Sequence, residues 1–270
     1  MLNPIIIRPD RDSLMIDLHH YIIFHYQKSE KYINHHSCSS LSTTDLFTLF
    51  FERKLQKLTS QYNVCWSNVY LVKDCKRSEI WRNAYYTLYK SNRASSSRGH
   101  TISHDTFTYI YDHYIPYIQQ KYGFHVIGHS QCEADDIIAI MKNTIRNINY
   151  HSRVTIITND NDFIQLIDEN TSVVNLYGVE LQTRMQGMAP KMYLQVKILT
   201  GDISDSIPMI VKDKVTAKQL ISDEGGLDAF FEKHPDAFQQ YIINQILIDF
   251  EYIPYNIRGE IANRIVVLYG

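Results

Sequence analysis

Nine carboxylates stand where they could do chemistry: Asp17, Asp74, Glu133, Asp135, Asp136, Asp160, Asp162, Asp202 and Asp205. Asp17 closes the apolar run Leu14-Met15-Ile16, Asp74 follows Val69-Tyr70-Leu71-Val72, and Asp160 and Asp162 follow Val154-Thr155-Ile156-Ile157. Runs of this length and composition read as buried strands, and a parallel sheet collects ligands at the carboxyl ends of its strands. Glu133, Asp135 and Asp136 fall in the opening turn of a helix, and Asp202 and Asp205 follow a helix spanning 192–199. Nine negative groups on one edge would repel one another strongly without cations. An all-oxygen donor set favours hard ions, Mg²⁺ or Mn²⁺. Phosphoryl chemistry uses such ions in pairs about 4 Å apart, activating water and stabilising the leaving oxygen. Each element also has a plainer meaning. Acids in a first turn are commonly dipole partners and caps. Asp160-Asn161-Asp162 alone could be a turn, and it lacks the glycine and terminal glutamate of a calcium loop, so a calcium-binding module is disfavoured.

The elements that must position these acids alternate along the chain. A polar loop is expected over 29–43, then a helix over 44–61 with Ser42 or Thr43 as N-cap. Further helices are expected over 105–121 and from Glu133, with strands near 124–128 and 173–177. The predicted fold is α/β, a mostly parallel central sheet with helices on both faces over 1–189. A smaller helical lobe follows over 190–270. No internal repeat is visible.

Bulk composition is that of a folded protein, with 44% hydrophobic and 21% charged residues in 270. The net charge of -2 does not announce a nucleic-acid binder, but a carboxylate-rich site can mask a basic face, so distribution matters more. Between Lys73 and Arg98, seven basic residues oppose two acids, a local charge of +5. There Arg82, Lys90 and Arg93 could share a helix with Tyr85, Tyr86 and Tyr89 interleaved; a solvated basic helix with inward tyrosines is the even alternative. The 20 tyrosines suit either packing or base stacking. Cys38, Cys65, Cys75 and Cys132 form no CxxC pair, which argues against zinc and implies a reducing, cytoplasmic setting. No run of about 18 apolar residues spans a membrane, and the amino terminus is no signal peptide. The pairs His19-His20 and His35-His36 point apart as neighbours do, and packing or surface placement is expected for them.

Six stretches carry a resemblance: LMIDL (14–18), IWRNAYYTLYKSNR (80–93), EADDIIA (133–139), TNDNDFIQL (158–166), KILTGDISDSIP (197–208) and LIDFEYIP (247–254). In this order they resemble the 5′-nuclease superfamily of flap endonucleases and 5′-3′ exonucleases, most of all its ribonuclease H branch from T-even bacteriophages. The resemblance covers nearly the whole chain. It implies that Asp74, Glu133 and Asp135 ligate a first Mg²⁺, that Asp17 orients that shell, and that Asp136 lies between two ions. Asp160, Asp162, Asp202 and Asp205 would hold the second, partly through water. It also implies a helical arch around 76–103, with Lys90 and Arg93 at the scissile phosphate and Arg82 and Tyr86 on nucleic acid. Lys212, Lys214 and Lys218 would contact duplex phosphates in a helix–hairpin–helix-like element. That element departs from the family, because 209–214 contains no glycine; Asn159 likewise stands where many relatives have glycine. The implied activity is metal-dependent 5′-3′ exonuclease and flap endonuclease action on RNA primers and DNA flaps in replication. The implied substrates are 5′-flap DNA or RNA–DNA hybrid, bound by a monomer, with a single-strand-binding protein or sliding clamp as candidate helpers. The rivals are a PIN-type ribonuclease for single-stranded RNA, which usually needs only about four acids, and a non-catalytic, structure-specific DNA-binding protein.

Overall fold

The computed structural model describes residues 4–35, 41–94 and 102–269. Its elements in order are β1 (Ile5–Ile7), β2 (Ser13–Asp17), α1 (Leu18–His35), α2 (Thr43–Gln61), β3 (Val69–Val72), α3 (His104–Tyr109), α4 (Ile115–Tyr122), β4 (His125–Ile127), α5 (Ala134–Ile148), β5 (Val154–Ile157), β6 (Thr171–Val174), α6 (Pro190–Thr200), α7 (Lys214–Ser222), α8 (Gly226–Lys233), α9 (Pro235–Ile248), α10 (Tyr255–Ala262) and β7 (Ile265–Val267). Five strands form one parallel sheet in the order β4-β3-β2-β5-β6. This bears out the expected fold class.

Alternation along the strands builds two cores. Met15, Tyr70, Val72, Val154 and Ile156 face α5 on one side. Leu14, Ile16, Val69, Leu71 and Ile157 face α1, α2 and α4 on the other. Both faces are dry, so every residue of β2, β3 and β5 is buried. The helix expected over 44–61 is α2, capped by Ser42, which exchanges hydrogen bonds with Asp45 in a capping box.

Three expectations need correcting. The stretch up to residue 35 is not loop but the end of α1, whose Tyr21, Ile22, His25 and Ser29 are buried at helical spacing. Its polar look comes from the solvated face, and the Ser29 hydroxyl donates to the His25 carbonyl at 2.8 Å. Residues 80–94 form no α-helix. They wind through short 3₁₀ turns at Arg77–Glu79, Trp81–Ala84 and Ser91–Ala94, so Arg82 and Lys90 share no helical face. The rest of the anticipated arch, 95–101, lies outside the described residues, as do His36 and Cys38. Finally, β1 pairs in parallel with β7, and α10 packs on α5, so the last residues return to the body that carries the central sheet.

The stretch from α6 to α9 is helical, with Pro190 and Pro235 at helix starts. Between α6 and α7 the glycine-free turn is made without any left-handed residue from 207 to 213 among those described. The close approach falls instead at Gly201 (φ 65°), where an added Cβ would lie 2.5 Å from the Ile207 and Pro208 carbonyl oxygens.

Candidate metal centre and nucleic-acid interface

Parallel strands and short exits bring the acids to one edge. Asp17 is the last residue of the central strand β2 and sits beside Val72 of β3, two residues before Asp74. Asp17 is 6% exposed. Its Oδ2 meets His20 Nδ1 at 2.7 Å and accepts from the Thr158 hydroxyl at 3.1 Å. Burial would raise this carboxyl, but the adjacent His20 ring overrides it and holds Asp17 at about 2. Reciprocally, Asp17 pushes His20 up to about 9 against the opposing effect of burial. Neither His20 nor Thr158 was anticipated. The available signal was spacing: when a helix starts directly after a strand, a residue three positions into it faces back onto the strand's end.

Asp74 accepts from the Ala134 N–H at the start of α5 at 2.7 Å. Burial and the nearby Asp17 raise it to about 6. Asp135 is pushed well above the carboxylate range by burial and by Asp136. Glu133 is the N-cap of α5; burial opposes its ionisation, but Lys90 and Arg82 hold it below its ordinary value. Two buried acids raised by burial and by their like-charged neighbours describe a site short of positive charge.

A second group gathers across the gap. Asp162, Asp202 and Asp205 each offer an oxygen within 4.8 Å of the others, the one such set among the described residues. The Lys197 ammonium forms an ion pair with Asp162 and lies 3.0 Å from Asp202. It too went unanticipated, although it stands in the last turn of α6 just ahead of the Gly201-Asp202 corner. Asp160 shapes the turn, its Oδ1 accepting from the Asp162 N–H at 2.9 Å. The donor set of both groups is oxygen only, which fits Mg²⁺ or Mn²⁺.

Lys90 joins the two groups. It has left-handed backbone (φ 55°), clamped where its N–H donates to the Asp205 carbonyl at 2.8 Å and its carbonyl accepts from Arg77. The Lys90 ammonium forms an ion pair with Glu133 and lies 3.5 Å from Asp205. Strain held in this way is characteristic of functional positions. The Arg93 side chain lies outside the described residues.

Other anticipated residues are placed differently. Asp136 is wholly buried rather than facing the cluster. It pairs with Arg82 Nη2 at 2.8 Å, accepts from Trp81 Nε1–H at 2.9 Å and caps α5 by accepting from the Glu133 N–H at 3.1 Å. A position between two ions would require breaking these bonds. Arg82 is equally buried, at 1% exposure, so it is no surface contact for nucleic acid. Tyr86 packs half-buried against the cluster containing Ile80, Ile198 and Ile207. Tyr89, one of the three interleaved tyrosines, is buried and donates its hydroxyl to Glu133 Oε2 at 2.8 Å.

On the lobe, Lys212 and Lys214 are exposed and Lys218 is half-buried. Asp213 between them caps α7 by accepting from the Val215 and Thr216 N–H groups. A cavity of about 420 Å³ between Lys197, Asp202, Lys212 and Lys214 separates this turn from the second acidic group.

Known proteins resemble this chain in sequence and in fold. The chain is 31% identical over 131 residues to DNA polymerase I of Lactococcus lactis subsp. lactis, a match covering 44% of this chain and 15% of that protein. It is 28% identical over 137 residues to a 5′-3′ exonuclease of Buchnera aphidicola, covering 49% of this chain and 44% of the relative. The chain thus spans less than half of the length of either relative. Among solved structures, T5 5′-exonuclease with bound divalent zinc ions superposes with a TM-score of 0.66 at 16% identity, covering 94% of this chain and 97% of that one. The bacteriophage T5 flap endonuclease in a pseudo-enzyme-product complex with DNA and metal ions gives 0.66 at 14% identity with the same coverage. At these identities the likeness establishes a shared fold. The family model for the N-terminal, resolvase-like domain of 5′-3′ exonucleases matches residues 12–195, and the chain belongs to that family.

Proposed function

We propose that this chain is a divalent-metal-dependent 5′-nuclease that removes RNA primers and DNA flaps during replication. The observation that carries the reading is the set Asp162, Asp202 and Asp205, with oxygens within 4.8 Å of one another, joined through Lys90 to Glu133 and its neighbours Asp74 and Asp135, which are short of counter-charge. Asp74, Glu133 and Asp135 would hold one Mg²⁺ and Asp162, Asp202 and Asp205 another, with Mn²⁺ as substitute and Asp160 acting through water. Bound there, the ions would supply the charge that activates water and stabilises the leaving oxygen.

The chain's own groups do the rest. Asp17, fixed by His20 and Thr158, keeps a permanent negative charge beside Asp74. Lys90, already positioned between Glu133 and Asp205, offers its ammonium to the phosphate under attack, with Arg93 as a second cation. Lys212, Lys214 and Lys218 hold duplex phosphates at a distance from the chemistry. Residues 1–189, with α10 and β7 packed back onto them, serve as the catalytic unit, and the helices α6–α9 as the duplex-binding lobe. The chain acts as a monomer in the cytoplasm, and a single-strand-binding protein or sliding clamp is its proposed helper.

Three labelled substrates test this reading: 5′-flap DNA, an RNA–DNA hybrid and single-stranded RNA, each with Mg²⁺. Cleavage near the 5′ junction of the first two, with single-stranded RNA spared, is the expected outcome. Internal cuts in single-stranded RNA with intact flaps would favour a PIN-type ribonuclease instead.

A further inference from the structure

Among the described residues Arg82 is the largest side chain less than 2% exposed. A guanidinium has five N–H donors in a planar fork. Nε–H donates to the Leu247 carbonyl at 2.8 Å, one of the last carbonyls of α9. Nη1–H donates to Glu133 Oε2 at 3.1 Å and to Asp136 Oδ2 at 3.0 Å, and Nη2 lies 2.8 Å from Asp136 Oδ1. The Trp81 ring lies against the guanidinium, 4.5 Å from its carbon to the ring centroid. The Tyr89 hydroxyl adds a second donor to Glu133 Oε2, at 2.8 Å.

The consequence is specific to one oxygen. Glu133 Oε2 is engaged from within the protein by Arg82 and Tyr89, whereas Oε1 faces the acidic edge, where Lys90 meets it. We propose that Arg82 is a positioning residue for the metal centre: anchored by α9 through the Leu247 carbonyl, it fixes the Glu133 carboxylate so that Oε1 alone is presented to a divalent cation. This rests on the metal-dependent reading above. A lysine keeps the charge but cannot make the fork, so the glutamate would lose its fixed orientation. Groups that orient metal ligands typically change affinity by about 10- to 100-fold when removed.

The test is calorimetric titration of the full, metal-free chain with Mn²⁺, alongside melting curves. In Arg82→Lys, one of two Mn²⁺ sites is expected to weaken about tenfold while the other, built on Asp162, Asp202 and Asp205, keeps its affinity. Cleavage by this variant should recover as Mg²⁺ is raised. Tyr89→Phe, which removes one bond to the same Oε2, should weaken the same site by a smaller factor, and it serves if Arg82→Lys fails to fold. Leu58→Ala, a cavity on the opposite face of the sheet, is the control for lost stability and should leave both sites unchanged. Unaltered Mn²⁺ affinity in Arg82→Lys and Tyr89→Phe would overturn the inference, as would an equal loss in Leu58→Ala. If the unaltered chain binds no Mn²⁺, the metal reading itself falls, and this inference with it.

Discussion

At the scale of single residues, the acids divide by what surrounds them. Asp135 is buried among like charges, and Asp205 sits at the mouth of a turn beside Lys90. Asp135→Asn should therefore reduce single-turnover cleavage by roughly 100-fold or more, and Asp205→Asn by clearly less, with flap DNA bound normally by both. Full activity in Asp135→Asn would remove it from the site. The cations divide in the same way. Lys90→Ala should lower kcat by about 100-fold with little change in affinity, since its charge matters most where charge develops. Lys212→Ala should instead weaken binding and reduce the salt dependence of affinity by about one unit of slope. Binding titrations over a range of salt, paired with single-turnover rates, separate the two. The reverse pattern would place the chemistry at the wrong end of the molecule. Most of these positions were legible because a carboxylate after an apolar strand has one edge to go to. Arg82 and Asp136 were misread because spacing does not reveal that two opposite charges have found each other beneath the site.

At the scale of elements, α1 shows why amphipathic pattern outruns composition. Its polar carboxyl-terminal half reads as loop, yet His25 and Ser29 lie on its buried face. His25 packs among Tyr21, Phe24 and Phe51, and neither ring nitrogen has a hydrogen-bond partner. Burial lowers its pKa from 6.5 to about 3, with Lys28 and Lys54 adding to the effect. The unfolded chain therefore takes up a proton at this ring as pH falls below about 6.5, which the folded chain refuses until near 3. Stability is lost across that window, by about 2 kcal/mol at pH 5 relative to neutral pH. His25→Phe should abolish this component, so urea unfolding at pH 7 and pH 5 should differ less in the variant by that amount. Equal losses would mean that the ring is hydrated or already charged. The 80–94 segment was opaque for another reason. Its apolar residues Ile80, Trp81 and Tyr89 serve tertiary contacts with α5, α6 and α9, and those contacts override helical spacing. The β1–β7 pair was invisible because two three-residue strands whose paired residues lie 260 positions apart leave no local signal.

For the whole molecule, the near-neutral charge conceals a polarised distribution. Acids crowd the carboxyl edge of the sheet, while Lys212 and Lys214 stand exposed across a cavity on the lobe. No helix among the described residues is long and apolar enough to cross a membrane. The fold was legible from alternating strands and helices, and the solved structures with the same fold bear it out. The central claim is that the acidic edge works by holding divalent cations. It is tested most directly by stripping the protein of metal and following cleavage of one labelled 5′-flap DNA in EDTA, then after adding Mg²⁺, Mn²⁺ or Ca²⁺. Cleavage should be absent in EDTA, restored by Mg²⁺ or Mn²⁺, and barely supported by Ca²⁺, which binds oxygen donors with a looser geometry. Robust cleavage in excess EDTA would contradict the assignment of the site.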